Sequence, residues 1–381
     1  MAGFDALYLH VPFCFHKCHY CDFYSIADCD EATGDKQARF TDALTREIRH
    51  WGGDRGGHAP PRPTTVFVGG GTPTLLRPEL WSRLLAALRE AGMLDRVEEF
   101  TVEANPETLT PDLLKTLTAG GVNRLSIGAQ TFQPRLLKAL ERWHDPASVP
   151  RAVELARAAG VDNVNLDLIF AVPGQRLDEL DADLDAVLAL APEHVSSYGL
   201  TYEPNTTLGM KLKLGRVHAV DEDRELAMYR RVIERLGGAG FEHYETSNFA
   251  RPGRRCEHNL RYWRSANYLG LGPSASSHVD GRRWKNEAHL GRYVRGCPTP
   301  PRVDEEALTE TQRIGERLML GLRLREGVDL GFIRDHIDGD APRAAAIADL
   351  RERGYLEYAG DRLRLTDKAL PVADAVIAAV L

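Results

Sequence analysis

The strongest constraint on this chain is a rhythm running from residue 4 to about residue 240, in which short β-rich runs alternate with longer amphipathic ones. Six strand candidates stand out: Ala6–Val11, Thr64–Val68, Glu99–Glu103, Arg124–Ile127, Asn163–Ile169 and Val195–Leu200. Between them, segments near residues 36–50, 78–92, 111–119, 147–159 and 178–191 carry helical apolar spacing. Pro78 and Glu79 suit the first turn of the second helix. Repeated βα units imply a parallel sheet covered by helices. Six units fit a partial (β/α)6 barrel, and the pattern alone also admits a flat doubly wound sheet. The polar residues tip the choice. The strands lead, in order, to a cysteine loop, to Gly69-Gly70-Gly71-Thr72-Pro73, to Glu103-Ala104-Asn105-Pro106, to Gly128-Ala129-Gln130-Thr131, to Asp167, and to Thr201 and Glu203. Sites in α/β barrels are built at the carboxyl ends of several strands at once. The expected site faces one mouth of a barrel.

The cysteine loop holds Cys14, Cys18 and Cys21 in a C-x3-C-x2-C spacing. Three thiolates satisfy three irons of a [4Fe-4S] cube, and full protein ligation takes four. One iron is left for an exogenous ligand. A zinc site completed by His16 or His19 is the alternative, although zinc pairs usually read C-x2-C twice and only one such pair occurs here. The interleaved Phe13, Tyr20 and Phe23 favour a cluster, whose potential depends on solvent exclusion. A disulfide framework fits poorly, since no secretory signal opens the chain.

A chain of 381 residues implies two or three domains. No apolar run approaches the ~20 residues that span a bilayer, and the cysteine usage points to a reducing cytoplasm. A net charge of −7 argues against a general nucleic-acid binder. Gly52–Arg62 reads as a flexible surface loop. Beyond the barrel region (1–204), residues 205–302 break the rhythm and are rich in aromatics, an α+β subdomain. Residues 303–381 show helices near Thr309–Leu324, Leu330–His336 and Arg343–Arg353, a hairpin around Gly360-Asp361 and a last helix, a winged-helix-like unit. It lacks a basic recognition helix, so DNA binding is not expected.

The open iron is the site of S-adenosylmethionine (SAM) in the radical SAM superfamily, which the cysteine motif resembles. SAM needs several kinds of partner. Tandem glycines let backbone amides approach an aminocarboxylate, so Gly69–Gly71 suit the methionyl end. Glu103 suits the α-ammonium or ribose, Gln130 and Asp167 the ribose hydroxyls, and Arg142 the carboxylate. The chain resembles the HemN-type family, the oxygen-independent coproporphyrinogen III oxidases, and most closely its HemW branch. The likeness rests on Tyr8 to Cys14, Cys18 to Phe23, Gly69 to Thr74, Glu103 to Pro106, Ser126 to Phe132, Asp167 to Phe170, Pro173 to Gln175, Tyr244 to Phe249 and His258 to Trp263. That resemblance puts Tyr8, Tyr20, Gly70, Gly71, Thr72, Glu103, Gln130, Arg142, Asp167 and Thr201 on SAM-contacting positions.

Three departures point away from the oxidases. Phe23 stands where they carry a fourth cysteine, the first cluster cysteine is already residue 14, and His258-Asn259-Leu260-Arg261-Tyr262-Trp263 matches the HNxxYW signature of haem binding in the HemW branch. His258 can offer an imidazole to haem iron, with Tyr262 and Trp263 packing on the macrocycle. Arg251, Arg254, Arg255, Arg261 and Arg264 offer forks for propionates, and Cys256 is a candidate second ligand. The leading expectation is a cytoplasmic haem chaperone that passes haem to acceptor haemoproteins, with an electron donor protein and peripheral membrane contact as further partners. The alternative is a radical SAM enzyme acting on a porphyrin, by decarboxylation, methylation or ring opening.

Overall fold

The computed structural model describes residues 3–27, 35–53, 62–337 and 339–381. Of the loop expected at Gly52–Arg62, residues 54–61 lie outside them. All six predicted strands form: β1 (Ala6–Val11), β2 (Thr65–Gly70), β3 (Glu99–Ala104), β4 (Arg124–Gln130), β5 (Val164–Phe170) and β6 (His194–Gly199). They pair in parallel and in sequence. The intervening helices are α1 (Lys36–Gly52), α2 (Pro78–Glu90), α3 (Pro111–Ala119), α4 (Pro134–Ala139), α5 (Ser148–Ala158) and α6 (Leu177–Ala189).

Their ends follow local chemistry. The Asp35 carboxylate accepts from the Ala38 amide at 2.8 Å to cap α1, and the Thr110 hydroxyl caps α3 ahead of Pro111. Gly160, at φ +85°, stops α5 in a left-handed turn. Strand β4 shows why the barrel holds together. It is buried at every position. Leu125, Ile127 and Ala129 point outward into the core beneath the helices, whereas Arg124, Ser126, Gly128 and Gln130 point into a cavity. Helix α2 adds Trp81, fully buried, whose indole N–H donates to the Pro73 carbonyl at 3.1 Å. Burying side chains of this kind contributes roughly 1.5–3 kcal/mol each.

The aromatic-rich segment continues the sheet at both ends. After α7 (Thr207–Lys213) and α8 (Glu222–Gly238) come strands β7 (Glu242–Glu245) and β8 (Asn248–Ala250); β8 adds antiparallel to β6, and β7 antiparallel to β8. Helix α9 (Glu257–Trp263) leads to β9 (Tyr268–Leu271), which lies parallel to β1, and then to β10 (Ser276–Val279) and β11 (Arg282–Asn286). After α10 (Leu290–Gly296), β12 (Arg302–Ala307) ends a 12-stranded sheet in the order β12-β11-β10-β9-β1-β2-β3-β4-β5-β6-β8-β7. The break in rhythm near residue 205 therefore marks a change of connectivity and not an end of the sheet.

The last unit is the expected winged-helix-like arrangement: α11 (Glu310–Gly321), α12 (Leu330–His336) and α13 (Ala341–Glu352), then β13 (Leu356–Ala359), β14 (Arg362–Leu365) and α14 (Ala373–Ala378). Its core of Leu318, Phe332, Ile347, Leu363 and Val376 is its own. It docks on the sheet through the Glu245–Leu324 bridge and the Arg283–Glu316 ion pair at 2.8 Å. Among the described residues, no helix is long and apolar enough to cross a membrane.

Candidate functional site

The cysteine loop leaves β1 and is fastened on three sides. Phe13–Cys14 pairs with Ile26–Ala27, and the Thr72 amide donates to the Phe13 carbonyl at 2.6 Å, tying the loop to the glycine turn. His19 pins the far side. Its amide donates to the Leu140 carbonyl at 3.3 Å, its carbonyl accepts from the Leu208 amide at 2.8 Å, and its Nδ1 meets Lys211 Nζ at 3.0 Å. Two thiols receive donors from neighbouring loops: Thr72 Oγ1 lies 3.7 Å from Cys14 Sγ, and Arg142 Nη1 lies 3.7 Å from Cys18 Sγ. Such donors stabilise thiolate ligands.

Among the described residues, no three His, Cys, Asp or Glu side chains converge on one metal-ion position. The donors aimed at Cys14 and Cys18 suit thiolate ligands, which a [4Fe-4S] cube takes one per iron. Of the two histidines considered for zinc, His19 bonds Lys211, whereas His16 stacks on Trp143 at 4.3 Å and keeps its Nε2 without a hydrogen-bond partner among the described residues. Burial pushes the Cys14 thiol up, and the Cys21 thiol to about 11, so metal binding would release protons.

The three cysteines and all ten residues assigned to SAM line one cavity of about 1040 Å³. The glycines are sterically required. Gly70 sits at φ +109°, and a Cβ there would lie 2.6 Å from the His10 ring; on Gly71 it would lie 2.5 Å from the Phe13 carbonyl oxygen. Gln130 adopts φ +62° at the end of β4, where the pairing register with β5 slips between Gly128 and Gln130. Bulges and left-handed residues of this kind re-aim side chains next to sites.

Charge is concentrated below the cluster loop. Glu103 accepts from the Gly70 amide at 3.1 Å, and burial, reinforced by Asp167, pushes its carboxyl up to about 7. Asp167 is also raised by burial and accepts from Asn165 Nδ2 at 2.7 Å and Ser126 Oγ at 3.2 Å. Arg142 donates through Nη2 to the Gly128 carbonyl at 3.2 Å; burial works against its charge, and the nearby Tyr20 and Cys18 favour it. His10 donates through Nε2 to the Tyr24 carbonyl at 2.8 Å, which leaves Nδ1 to accept from the Tyr8 hydroxyl at 3.1 Å. Burial lowers that imidazole to about 4, so it is neutral. A cationic aminoacyl nucleoside would meet acids in the barrel and a guanidinium at its rim.

The HNxxYW segment forms α9, which lies against the barrel floor. Buried Glu99 accepts from the amides of Glu257 at 2.8 Å and His258 at 3.0 Å, and so caps the helix. His258 reaches the cavity wall but has no exposed surface. Its Nδ1 meets Thr65 Oγ1 at 2.9 Å and its Nε2 meets the Tyr262 hydroxyl at 2.8 Å. Burial lowers it to about 3. The imidazole is neutral, with both nitrogens engaged.

Several neighbours of the motif sit differently from the sequence reading. Tyr262 lines the cavity, whereas Trp263 packs beside Tyr244 and Leu324 with the Arg323 guanidinium 5.3 Å from its ring centroid. The arginines are spent on other partners: Arg254 on Asp162, Arg255 on Glu242, Arg264 on Glu326, Arg251 on the Ala239 carbonyl and Arg261 on Thr64. Cys256 is fully buried against Glu99, and burial pushes its thiol up to about 12, so it supplies no ready thiolate.

Other cavity residues escaped the sequence reading: His10, Arg124, Ser126, Asn165 and Ser196 on the barrel strands, and His278 and Lys285 on β10 and β11. A signal existed for most of the first group. On β1, β4 and β5 polar residues recur at every second position of otherwise apolar strands, the parity of one inward face. His278 and Lys285 carried none, because the strands bearing them join β1 only through tertiary pairing.

Comparison with known proteins places this geometry. A family model described as the radical SAM superfamily matches residues 8–187, and one described as the HemN C-terminal domain matches residues 308–372. Curated relatives named haem chaperone HemW align over almost the whole chain. The Mycobacterium tuberculosis protein is 38% identical over 377 residues, covering 98% of this chain and 94% of the relative. The Lactococcus lactis protein is 34% identical over 374 residues, covering 98% and 96%. The Bacillus subtilis protein is 34% identical over 384 residues, covering 98% of each. Among solved structures, the Escherichia coli coproporphyrinogen III oxidase HemN, described as a radical SAM enzyme, superposes with a TM-score of 0.84 over 99% of this chain and 90% of that one. At 24% identity that likeness speaks for the fold alone.

Proposed function

The chain belongs to the HemW family of radical SAM proteins, and on that premise we propose that it is a haem chaperone, holding haem beside α9 and passing it to acceptor haemoproteins in a reducing, cytoplasmic setting. The observation that carries the reading is the meeting of two motifs in one cavity: the three-cysteine loop with its SAM-type residues at one end, and the HNxxYW helix at the other. The division into 1–204, 205–302 and 303–381 is then functional: cluster and SAM, haem segment, and a covering unit.

In this reading Cys14, Cys18 and Cys21 hold a [4Fe-4S] cluster. When bound, that cluster supplies one electron and one open iron. The Gly70–Gly71 turn forms the wall beside the methionyl end, its own amides being bonded to Glu103 and to the Val11 carbonyl. Glu103 takes the α-ammonium and ionises fully on doing so, because the cation offsets its burial. Arg142 pairs with the carboxylate, Gln130 and Asp167 orient the ribose, and Tyr8, Tyr20, Thr72 and Thr201 close the walls. His258 takes iron only when Tyr262 swings off its Nε2. The completeness of the SAM set supports a second reading as well, a SAM-cleaving enzyme acting on a porphyrin.

Anaerobic reconstitution separates the two readings. The chaperone is expected to show about four irons and sulfides per chain, stoichiometric haem binding, transfer to an apo-haemoprotein, and no turnover of coproporphyrinogen III. Decarboxylation with SAM consumption would replace the chaperone reading with the enzymatic one.

A further inference from the structure

The cavity does not end at the barrel. It continues sideways into a lobe between α9, strands β9–β11 and α11, where Tyr262, Tyr268, Ser276, His278, Lys285 and Leu320 face it. The sheet register explains this grouping. Tyr268 is paired with His278 across β9 and β10, and Ser276 with Lys285 across β10 and β11, so all four project from the same face of the extended sheet.

His278 and Lys285 lack partners in this lobe, as does the Ser265 hydroxyl. His278 is only 8% exposed, and its Nε2 has no hydrogen-bond partner among the described residues. The other ring nitrogen is engaged by the Ala266 backbone. A carbonyl accepts from Nδ1–H, so the free lone pair is on Nε2, the tautomer that binds metals. Lys285 has no hydrogen bond or ion pair among the described residues, although Arg283, two residues earlier on β11 and on the same face, is neutralised by Glu316 at 2.8 Å. The lobe therefore carries one uncompensated positive charge. Its walls are aromatic: Tyr262 and Tyr268 meet edge to face at 4.6 Å, and Tyr268 meets His278 at 6.0 Å.

A buried acceptor left unpaired has lost its water without gaining a partner, which favours an occupant. An open imidazole nitrogen, a free ammonium and aromatic walls match a flat macrocycle with a central metal and carboxylate arms. The charge-rich end of the cavity around Glu103 and Asp167 matches nothing of that kind. We propose that His278 Nε2 is the axial ligand haem meets first, with Lys285 pairing one propionate, and that this lobe is the haem seat. The bond is dative: the lone pair is donated to iron, no electron is transferred, and no proton leaves, because Nε2 carries none. His258 stays closed behind Tyr262 until later. This assignment rests on the haem reading above and adds the residue that receives the iron.

The facing charges are accounted for from each side. Glu316 on α11 and Arg283 on β11 form their pair, Asp280 lies on the loop after β10, and burial, the first cause, keeps His278 below its ordinary value and so neutral.

The test is a ferric haem titration of the anaerobically reconstituted full-length protein, compared with His278→Ala and Lys285→Gln, read by absorption and by electron paramagnetic resonance. Wild type is expected to give an imidazole-ligated spectrum. His278→Ala is expected to lose that spectrum and at least about tenfold in affinity, with free imidazole restoring the spectrum and SAM binding unchanged as the control for folding. Lys285→Gln should keep the spectrum and bind haem more weakly, while binding the dimethyl ester of haem as wild type does. If wild type binds haem and His278→Ala keeps its spectrum and affinity, the assignment is overturned while the chaperone reading stands. If wild type binds no haem, both fall.

Discussion

Replacing Glu103 with glutamine tests the electrostatics of the barrel directly. The carboxyl lies in a cavity with one backbone donor, the Gly70 amide, and with Asp167 nearby; burial raises it from 4.5 to about 7. A rise of that size corresponds to about 3 kcal/mol, and water entering the cavity trims the effect to roughly 1–3 kcal/mol. The folded-state value lies above the unfolded one. The group's contribution to stability is therefore full below about 4.5 and is lost as pH rises through about 7. Wild type at pH 8 holds a poorly solvated carboxylate, whereas the amide variant holds none and still accepts from Gly70. In urea unfolding of the ligand-free protein, Glu103→Gln should be more stable than wild type by roughly 1–3 kcal/mol at pH 8 and by less than about 1 kcal/mol at pH 5. Loss of the counter-charge should weaken SAM binding by roughly 10–100-fold in calorimetry at pH 8. A stability difference that does not change between the two pH values, or unaltered SAM affinity, refutes the reasoning.

Other perturbations probe the same framework. Cys21→Ser removes one of three thiolates, so protein purified without oxygen should lose most of its iron and sulfide by elemental analysis while keeping its far-ultraviolet circular dichroism. Gly71→Ala would set a methyl 2.5 Å from the Phe13 carbonyl oxygen; the backbone on both sides must move, and cluster content should fall severalfold with the fold retained. Leu318→Ala empties a fully buried site in the C-terminal core. It should cost about 2–5 kcal/mol, read as early unfolding of that unit by limited proteolysis, with SAM binding retained.

Much of this was legible in the chain itself, for a local reason. The βα rhythm, the turn glycines and the cysteine spacing are short-range patterns, and each dictates conformation or ligation within a few residues. Strand parity likewise puts Arg124, Ser126, Gly128 and Gln130 on one inward face once β4 is recognised. The arginines beside the HNxxYW segment misled for the converse reason. A run of like charges says nothing about its partners, and these pair with Asp162, Glu242 and Glu326, which lie elsewhere in the sequence.

The amino-acid order by itself determined the parallel barrel, the three-thiol loop and the residue types gathered at the strand ends, because those depend on periodicity and spacing. Only the tertiary structure decided which imidazole is sealed and which is open. His258 is closed by Thr65 and Tyr262, and His278 is left free by the pairing of β9 with β1 and of β10 with β9. Hydrogen-bond satisfaction is a property of neighbours brought together from distant parts of the chain, and no local pattern carries it.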